Sequence, residues 1–199
     1  MARTGRPRAF DTDAALDAAL LTFWRYGYEG TSLTALTEAM GINRPALYLA
    51  FGDKKGLFLR ALDRYAAVYG AFTVAALDEP TACAVTAEYL RRWVLQLTNP
   101  EHPAGCFTVQ TGLTCSAENH EIRDELARRR GLGEIALHER YERAGAEDDP
   151  LPAGQPPAAL ARFVSTVGMG LAVQAAGGAG RAELGETVRT ALAVIGCSP

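Results

Sequence analysis

Few side chains in this sequence are arranged for covalent chemistry, and the clearest binding candidates lie between residues 31 and 57. This stretch, TSLTALTEAMGINRPALYLAFGDKKGL, carries hydroxyls, an amide and several basic side chains. The sequence shows no Gly-rich phosphate loop, no nucleophile elbow and no His and Cys cluster at metal-ligand spacing. The stretch therefore indicates recognition by hydrogen bonds and charge, as in nucleic-acid binding, with no cofactor and no metal expected.

Two short helices around a glycine turn would position these side chains. A hydroxyl at residue 31 or 32 can cap the first helix, about 33–40, by accepting a bond from an unpaired backbone N–H. Gly41 follows, where a left-handed turn is favourable only without a Cβ. Asn43 can cap the second helix, and Pro45 lies in its first turn, where a missing N–H costs little. This pattern predicts a helix-turn-helix, whose second helix enters the major groove of DNA.

The charge is spread unevenly along the chain. Residues 1–60 hold eight Lys and Arg against six Asp and Glu, whereas the remainder holds 12 against 17. The first ten residues carry Arg3, Arg6 and Arg8 without an acid. Beside a helix-turn-helix, such an arm predicts contact of Arg6 and Arg8 with phosphates or the minor groove. The alternative is a flexible terminus that only aids solubility.

Hydrophobic periodicity predicts an all-α fold of about nine helices. One of the nine is the helix that follows Asn43. The other eight have approximate bounds of 12–26, 33–40, 54–76, 82–97, 104–115, 121–144, 157–176 and 181–196. The last two, at about 157–196, are rich in small residues and suit a two-fold interface with a second copy. Packing within one chain is the alternative. No run of about 20 apolar residues and no leader were found, so neither a membrane span nor secretion is expected.

The four cysteines, Cys83, Cys106, Cys115 and Cys197, form no CxxC pair, which predicts free thiols in a reducing cytosol. Cys106 and Cys115 lie half a helical turn out of phase, so they cannot bridge within one helix. Cys106 is a candidate for redox or electrophile sensing, although a buried, inert thiol is the simpler interpretation. The basic run at 128–130 is expected to be a solvated face paired to Asp124 and Glu125.

The N-terminal segment from Gly5 to Phe58 resembles the TetR family of bacterial repressors. The resemblance rests on G-Y-x-G-T-S, a helix, M-G-I, and L-Y-x-x-F-x-x-K-x-x-L-F, all present in order. It implies an all-α homodimer with an N-terminal DNA-binding domain and a larger domain for effector binding and dimerisation. We therefore expect a basic arm at 1–10, a DNA-binding domain at 11–56 and an effector and dimerisation domain at 57–199.

The resemblance also implies roles for individual residues. Thr31 and Ser32 would lie at the phosphate backbone, and Lys54 stands at the family's phosphate-binding lysine position. The residues expected to face the operator are Asn43, Arg44, Pro45, Ala46 and Tyr48. Arginine can read guanine with two hydrogen bonds, so Arg44 is the expected base contact. Leu49 and Ala50 replace the polar or aromatic residues of many members, which favours thymine-methyl contact and DNA shape in recognition.

The same family plan places a sensor cavity among the predicted helices four to eight. The candidate lining residues are Tyr89, Trp93, Phe107, Gln110, Thr111, Met169 and Gln174. Ordinary core packing is the alternative for each. Polar groups on apolar helices need partners, which favours a small, mostly apolar effector with one or two polar atoms.

Together these features predict a cytoplasmic, non-enzymatic repressor that binds a palindromic double-stranded operator as a homodimer and is released by its effector. The alternatives are a thiol-based sensor of the same fold and a small helical enzyme or carrier.

Overall fold

The fold is entirely helical in the part of the chain that the computed structural model describes, residues 10–146 and 149–197. Ten α-helices are present there, one more than predicted, and the all-α class is confirmed. They are α1 (Thr12–Gly30), α2 (Leu33–Met40), α3 (Arg44–Phe51), α4 (Lys54–Tyr69), α5 (Ala71–Val74), α6 (Ala82–Leu97), α7 (Phe107–Leu113), α8 (His120–Ala146), α9 (Pro157–Ala176) and α10 (Arg181–Val194). Short 3-10 turns lie at Ala75–Asp78, Ala117–Asn119 and Pro152–Gly154.

Side-chain caps begin each of the first four helices. The Asp11 and Asp53 carboxylates accept backbone N–H bonds at the starts of α1 and α4. Ser32 Oγ accepts from Ala35 N at α2, and Asn43 Oδ1 accepts from Ala46 N at α3. Gly41 ends α2 with φ 64°, as the sequence predicted. The helix-turn-helix is therefore specified by local hydrogen bonding.

The predicted fourth helix, 54–76, is wrong beyond Tyr69. It divides into α4, the four-residue α5 and a 3-10 turn. At Gly70 the backbone approaches the previous turn so closely that a Cβ would lie 2.6 Å from the Ala66 carbonyl oxygen. Glycine has low helix propensity and tolerates this crowding, so the helix breaks there.

An aromatic cluster joins the first helix to the rest of the molecule. The Phe58 ring packs edge-on against Phe23, at 5.0 Å between centroids, and against Phe107, at 5.5 Å. Trp24 packs edge-on against Tyr65 at 5.1 Å. These five residues belong to one continuous core that runs from α1 through α4 to α7.

Helix α9 bears on the expectation that the chain has no membrane span. By length and composition alone it could cross a membrane, with a mean hydropathy of 1.3 over 18 residues. Eight of its residues are nevertheless buried in this fold, including Leu160, Val164 and Leu171. It packs against α6, α7, α8 and α10. The helix therefore has the character of a core helix.

The cysteines also depart from the prediction of four free thiols. Cys83, at the start of α6, is bonded to Cys197, just beyond α10. Local cysteine spacing does not reveal this bond, because 114 positions separate the two residues. Cys106 and Cys115 are free. The argument from free thiols to a reducing compartment therefore no longer holds.

Reduction of this disulfide is expected to lower the free energy of unfolding by about 2–4 kcal/mol, because a long cross-link restricts the unfolded chain. Urea unfolding with and without dithiothreitol measures the effect. The double variant Cys83→Ser and Cys197→Ser should unfold identically in both conditions, and Cys115→Ser should retain the response. An unchanged midpoint for the unsubstituted protein on reduction would contradict the expectation.

Candidate functional site

Helix α3 presents one face to the core and the opposite face to solvent. Leu47 and Phe51 are buried, whereas Tyr48 is 47% exposed and Leu49 is 90% exposed. Asn43, Arg44 and Pro45 are also exposed at the start of the helix, and Ala46 is half-buried. The predicted recognition residues thus lie along one accessible edge, with Ala46 partly beneath it.

The polar groups at the start of α3 are already oriented by neighbours. Arg44 Nη2 donates to Thr34 Oγ1 of α2 at 2.9 Å. Asn43 uses its carbonyl oxygen for the cap, which leaves its amide N–H groups available to an acceptor such as phosphate. The arrangement offers donors at a helix N-terminus, where anions bind well.

Thr31 corrects one of the predictions, because its side chain faces inward. The residue is 1% exposed, and its hydroxyl donates to the Gly27 carbonyl at 2.6 Å. This hydroxyl is not available to a phosphate. Its neighbour Ser32 is exposed and caps α2.

Lys54 lies at the start of α4, with its ammonium 4.7 Å from the centroid of the Tyr28 ring. Burial lowers its pKa, and nearby Glu29 partly opposes the shift. The ring holds the ammonium in place by a cation–π contact. The predicted contacts Arg6 and Arg8 lie outside the described residues.

A cavity of about 640 Å³ lies among α4 to α9. Three predicted effector residues line it, Tyr89, Trp93 and Met169, as does Cys106. The other lining residues were not predicted: Leu62, Asp63, Tyr65, Ala66, Ala67, Gly70, Phe72, Thr73, Val74, Leu77, Thr108, Arg128, Arg129, Arg130, Leu132, Gly133, Ala136 and Ser165. The volume is typical of sites for small organic ligands.

The other four predicted effector residues do not line this cavity. Phe107 is fully buried in the aromatic cluster. Gln110 accepts a bond from Trp24 Nε1 at 3.1 Å and donates to the Ala104 carbonyl. Thr111 is buried, and its hydroxyl has no hydrogen-bond partner in the described structure. Gln174 is exposed. Their apolar sequence context could not distinguish core packing from cavity lining.

The two free cysteines show no sign of activation as nucleophiles. Cys106 is 4% exposed, and its Sγ lies 3.3 Å from both the Tyr65 hydroxyl and Thr108 Oγ1. Burial raises the pKa of Cys115, which disfavours its thiolate. These surroundings favour the interpretation of inert thiols.

The basic run at 128–130 was predicted to be a solvated face, and this is correct for only part of it. Arg128 and Arg129 both donate hydrogen bonds to the Glu125 carboxylate. These bonds lower the pKa of Glu125 to about 2, and the bond from Arg128 has the largest effect. Arg129 also bonds Asp63, whereas Asp124 pairs with Arg123 instead.

Arg130 faces inward and donates from Nη1 to the Thr108 carbonyl at 2.7 Å. The sequence held a signal for this orientation. Arg130 follows Leu126 by four residues and precedes Leu137 by seven, so it shares their buried helical face.

Contacts between the first helix and the α7–α8 region connect the two sites. At Gly27 the backbone turns, with φ 71°, and this directs Glu29 toward the start of α8. The Glu29 carboxylate accepts bonds from Ser116 N at 2.6 Å and Asn119 Nδ2 at 2.9 Å, and the first of these lowers its pKa most. An ion pair also joins Lys55 to Glu121 of α8. Movement of α7 or α8 would therefore reach α1 and α4, the two helices that flank the helix-turn-helix.

An accessible recognition helix attached to a helical domain with an internal cavity defines a helix-turn-helix regulator. Residues 15–61 match the model of bacterial regulatory proteins of the tetR family. Over 190 residues the chain is 35% identical to the HTH-type transcriptional repressor ComR of Escherichia coli (strain K12), covering 94% of this chain and 90% of that protein. The chain belongs to the TetR family of transcriptional regulators.

Solved structures agree with this assignment. One is the TetR family transcriptional regulator CifR, a cysteine mutant complexed with 26-bp double-strand operator DNA. It is 44% identical, with a TM-score of 0.90 and coverage of 96% of this chain and 100% of that chain. A TetR transcriptional regulator from Rhodococcus sp. RHA1 is 43% identical, with a TM-score of 0.61 and coverage of 93% and 98%.

Proposed function

We propose that this regulator is a homodimeric repressor that binds a palindromic operator through two copies of α3. The exposed edge of α3, from Asn43 to Leu49, carries the proposal. It is supported by the relative ComR, which is described as a repressor, and by the operator complex of CifR. Two recognition helices on one face of DNA would lie one helical turn apart, at about 34–36 Å.

DNA-binding and sensing are divided at about residue 56 in this proposal. Residues 11–56 form the DNA-binding part, called the reading head below, and residues 57–199 hold the cavity and the dimer interface. The division is functional rather than a separation in space, because α1 packs against both α4 and α7. Arg6 and Arg8 of the arm at 1–10 would add phosphate or minor-groove contacts.

Helices α9 and α10 would form the interface with the second copy. Phe163 and Val173 on α9 are 37% and 48% exposed, and Val194 on α10 is 73% exposed. A Cβ built at Gly170 of α9 would meet nothing within 4 Å, so a partner helix can approach its backbone closely. Two such helices from each copy form a four-helix interface.

Effector release would follow from a difference in affinity between two conformations. A ligand in the cavity contacts α4, α6, α8 and α9, and α8 is joined to the head through Glu121 and Lys55. Release results only if the ligand prefers a conformation in which the two recognition helices no longer match the operator spacing. The protein would act in the cytoplasm, by binding and not by catalysis.

An electrophoretic mobility shift with the intergenic DNA upstream of the protein's own gene, at low salt, tests the proposal. We expect a discrete complex that resists excess unrelated DNA, and a footprint with two-fold symmetry. Sedimentation of the free protein should give a dimer. If the upstream DNA is retarded no better than unrelated DNA of equal length, the repressor function fails for that site.

A further inference from the structure

The cavity contains an uncompensated positive charge. Three arginines line it, but two of them are balanced by two carboxylates: Glu125 pairs with both Arg128 and Arg129, and Asp63 pairs with Arg129. Arg130 has no carboxylate within ion-pair distance in the described ranges, and its single bond is to a backbone carbonyl. Arg130 is half-buried, so water compensates its charge only in part, and a bound anion would stabilise it.

The position of the Arg130 guanidinium depends on a glycine in the neighbouring helix α7. Its Nη1 packs over Gly112 of α7, where a Cβ would lie only 2.2 Å away. Any larger residue at 112 would displace the guanidinium. Burial lowers the pKa of Arg130, and the thiols of Cys106 and Cys115 only partly oppose the shift. One of its five N–H groups bonds Thr108, which leaves the others available to a ligand.

The remaining walls are mainly apolar and aromatic. Tyr65, Tyr89, Phe72 and Met169 contribute rings and a thioether to the lining. Trp93 Nε1 is buried without a hydrogen-bond partner of good geometry among the described atoms, although its proximity to the Tyr89 hydroxyl partly opposes the rise in the pKa of Tyr89 that burial causes. The cavity thus combines an apolar interior with unsatisfied donors, and it accommodates a molecule of moderate size.

We propose that the effector is a mainly apolar molecule that carries one carboxylate, and that this carboxylate binds the Arg130 guanidinium. Arginine and carboxylate form short, paired, charge-assisted bonds, which fix the ligand's orientation as well as its affinity. The effector role rests on the function proposed above, whereas carboxylate binding does not require DNA.

A carboxylate bound to Arg130 would affect both α8 and α7, and α7 contacts the first helix. Arg130 belongs to α8 and is bonded to Thr108 of α7, the helix whose Gln110 accepts the Trp24 indole N–H. A carboxylate that draws the guanidinium toward the cavity competes with the Thr108 bond. The head would therefore detect the anion through α7 as well as α8.

Calorimetry on the free protein with matched probe pairs tests the proposal. The probes are 4-phenylbutyrate, 2-naphthoate and decanoate, each compared with its neutral amide of nearly the same shape. For at least one pair, we expect the carboxylate to bind about tenfold tighter or more, since hydrogen bonds to charged groups contribute most. Equal affinity within every pair, or binding of none of the six probes, would overturn the proposal.

Variants at the same helix separate the guanidinium from general effects. Arg130→Gln should remove the preference for the carboxylate, and Arg130→Lys should retain part of it. Arg123→Gln is the matched control, because Arg123 is exposed on the same helix, pairs with Asp124 and does not line the cavity, and this variant's preference should match that of the unsubstituted protein. Thermal melting of each variant confirms folding. A preference that survives in Arg130→Gln would refute the assignment.

A mobility shift with the same probes distinguishes the two proposals. If a carboxylate binds but leaves the operator complex intact, the anion site stands and its effector role is wrong. If no operator complex forms at all, the repressor function fails while the calorimetric result remains interpretable.

Discussion

Replacing Arg44 by alanine is expected to weaken specific operator binding by about 2–6 kcal/mol per dimer, because each bidentate contact with a base contributes about 1–3 kcal/mol and the proposed dimer would make two. Fluorescence anisotropy with a labelled operator fragment at fixed salt measures the loss. Arg44 is exposed and already oriented by Thr34, so its removal should not disturb the fold.

Arg143→Ala provides the matched control, since it removes the same charge from an exposed position near the end of α8. It should leave operator affinity almost unchanged. The affinity of Arg44→Ala for unrelated DNA separates base recognition from phosphate binding. Equal losses for operator and unrelated DNA would identify Arg44 as a phosphate contact and contradict its role in reading sequence.

The Phe58→Ala variant should lose about 3–5 kcal/mol of unfolding free energy, as expected for a large aromatic side chain truncated in a core. Phe58 is fully buried and contacts Phe23 and Tyr28 of α1 as well as Phe107 of α7. Its loss removes packing from both sides of the junction between reading head and sensor. Urea unfolding followed by circular dichroism gives the magnitude.

Tyr26→Ala is the control for this experiment, because Tyr26 lies in the same helix as Phe23 but is 61% exposed. Its cost should stay below about 1 kcal/mol, as for most surface substitutions. A Phe58→Ala variant no less stable than Tyr26→Ala would mean that the aromatic cluster contributes little to the fold.

Local signals in the sequence predicted much of the fold. Helices α2, α6 and α9 have the predicted bounds, because caps, glycine or proline residues and apolar periodicity agree at their ends. The break at Gly70 was missed because glycine within a long periodic segment is tolerated in many helices. The Cys83–Cys197 bond was missed because it depends on how α6 and α10 pack.

The exposed edge of α3 was predicted better than the cavity, because the edge depends on local sequence and the cavity depends on how distant helices pack. The edge of α3 could be read locally, since Leu47 and Phe51 define its buried side and Tyr48 and Leu49 fall opposite. The predicted phosphate contact of the Thr31 side chain was wrong, because the turn at Gly27 brings a carbonyl within reach of the Thr31 hydroxyl. The cavity involves at least five helices, and no single segment shows which of its polar groups meet there.

The bond between Cys83 and Cys197 closes a covalent ring that contains α6 to α10, while the reading head lies outside it. A protease cut anywhere within the ring would leave two fragments joined through sulfur. They would migrate as one band without reductant and as two with it. A cut between α4 and Cys83 would release the head in either condition. Limited proteolysis on paired gels could therefore assign each cleavage to one side of this boundary.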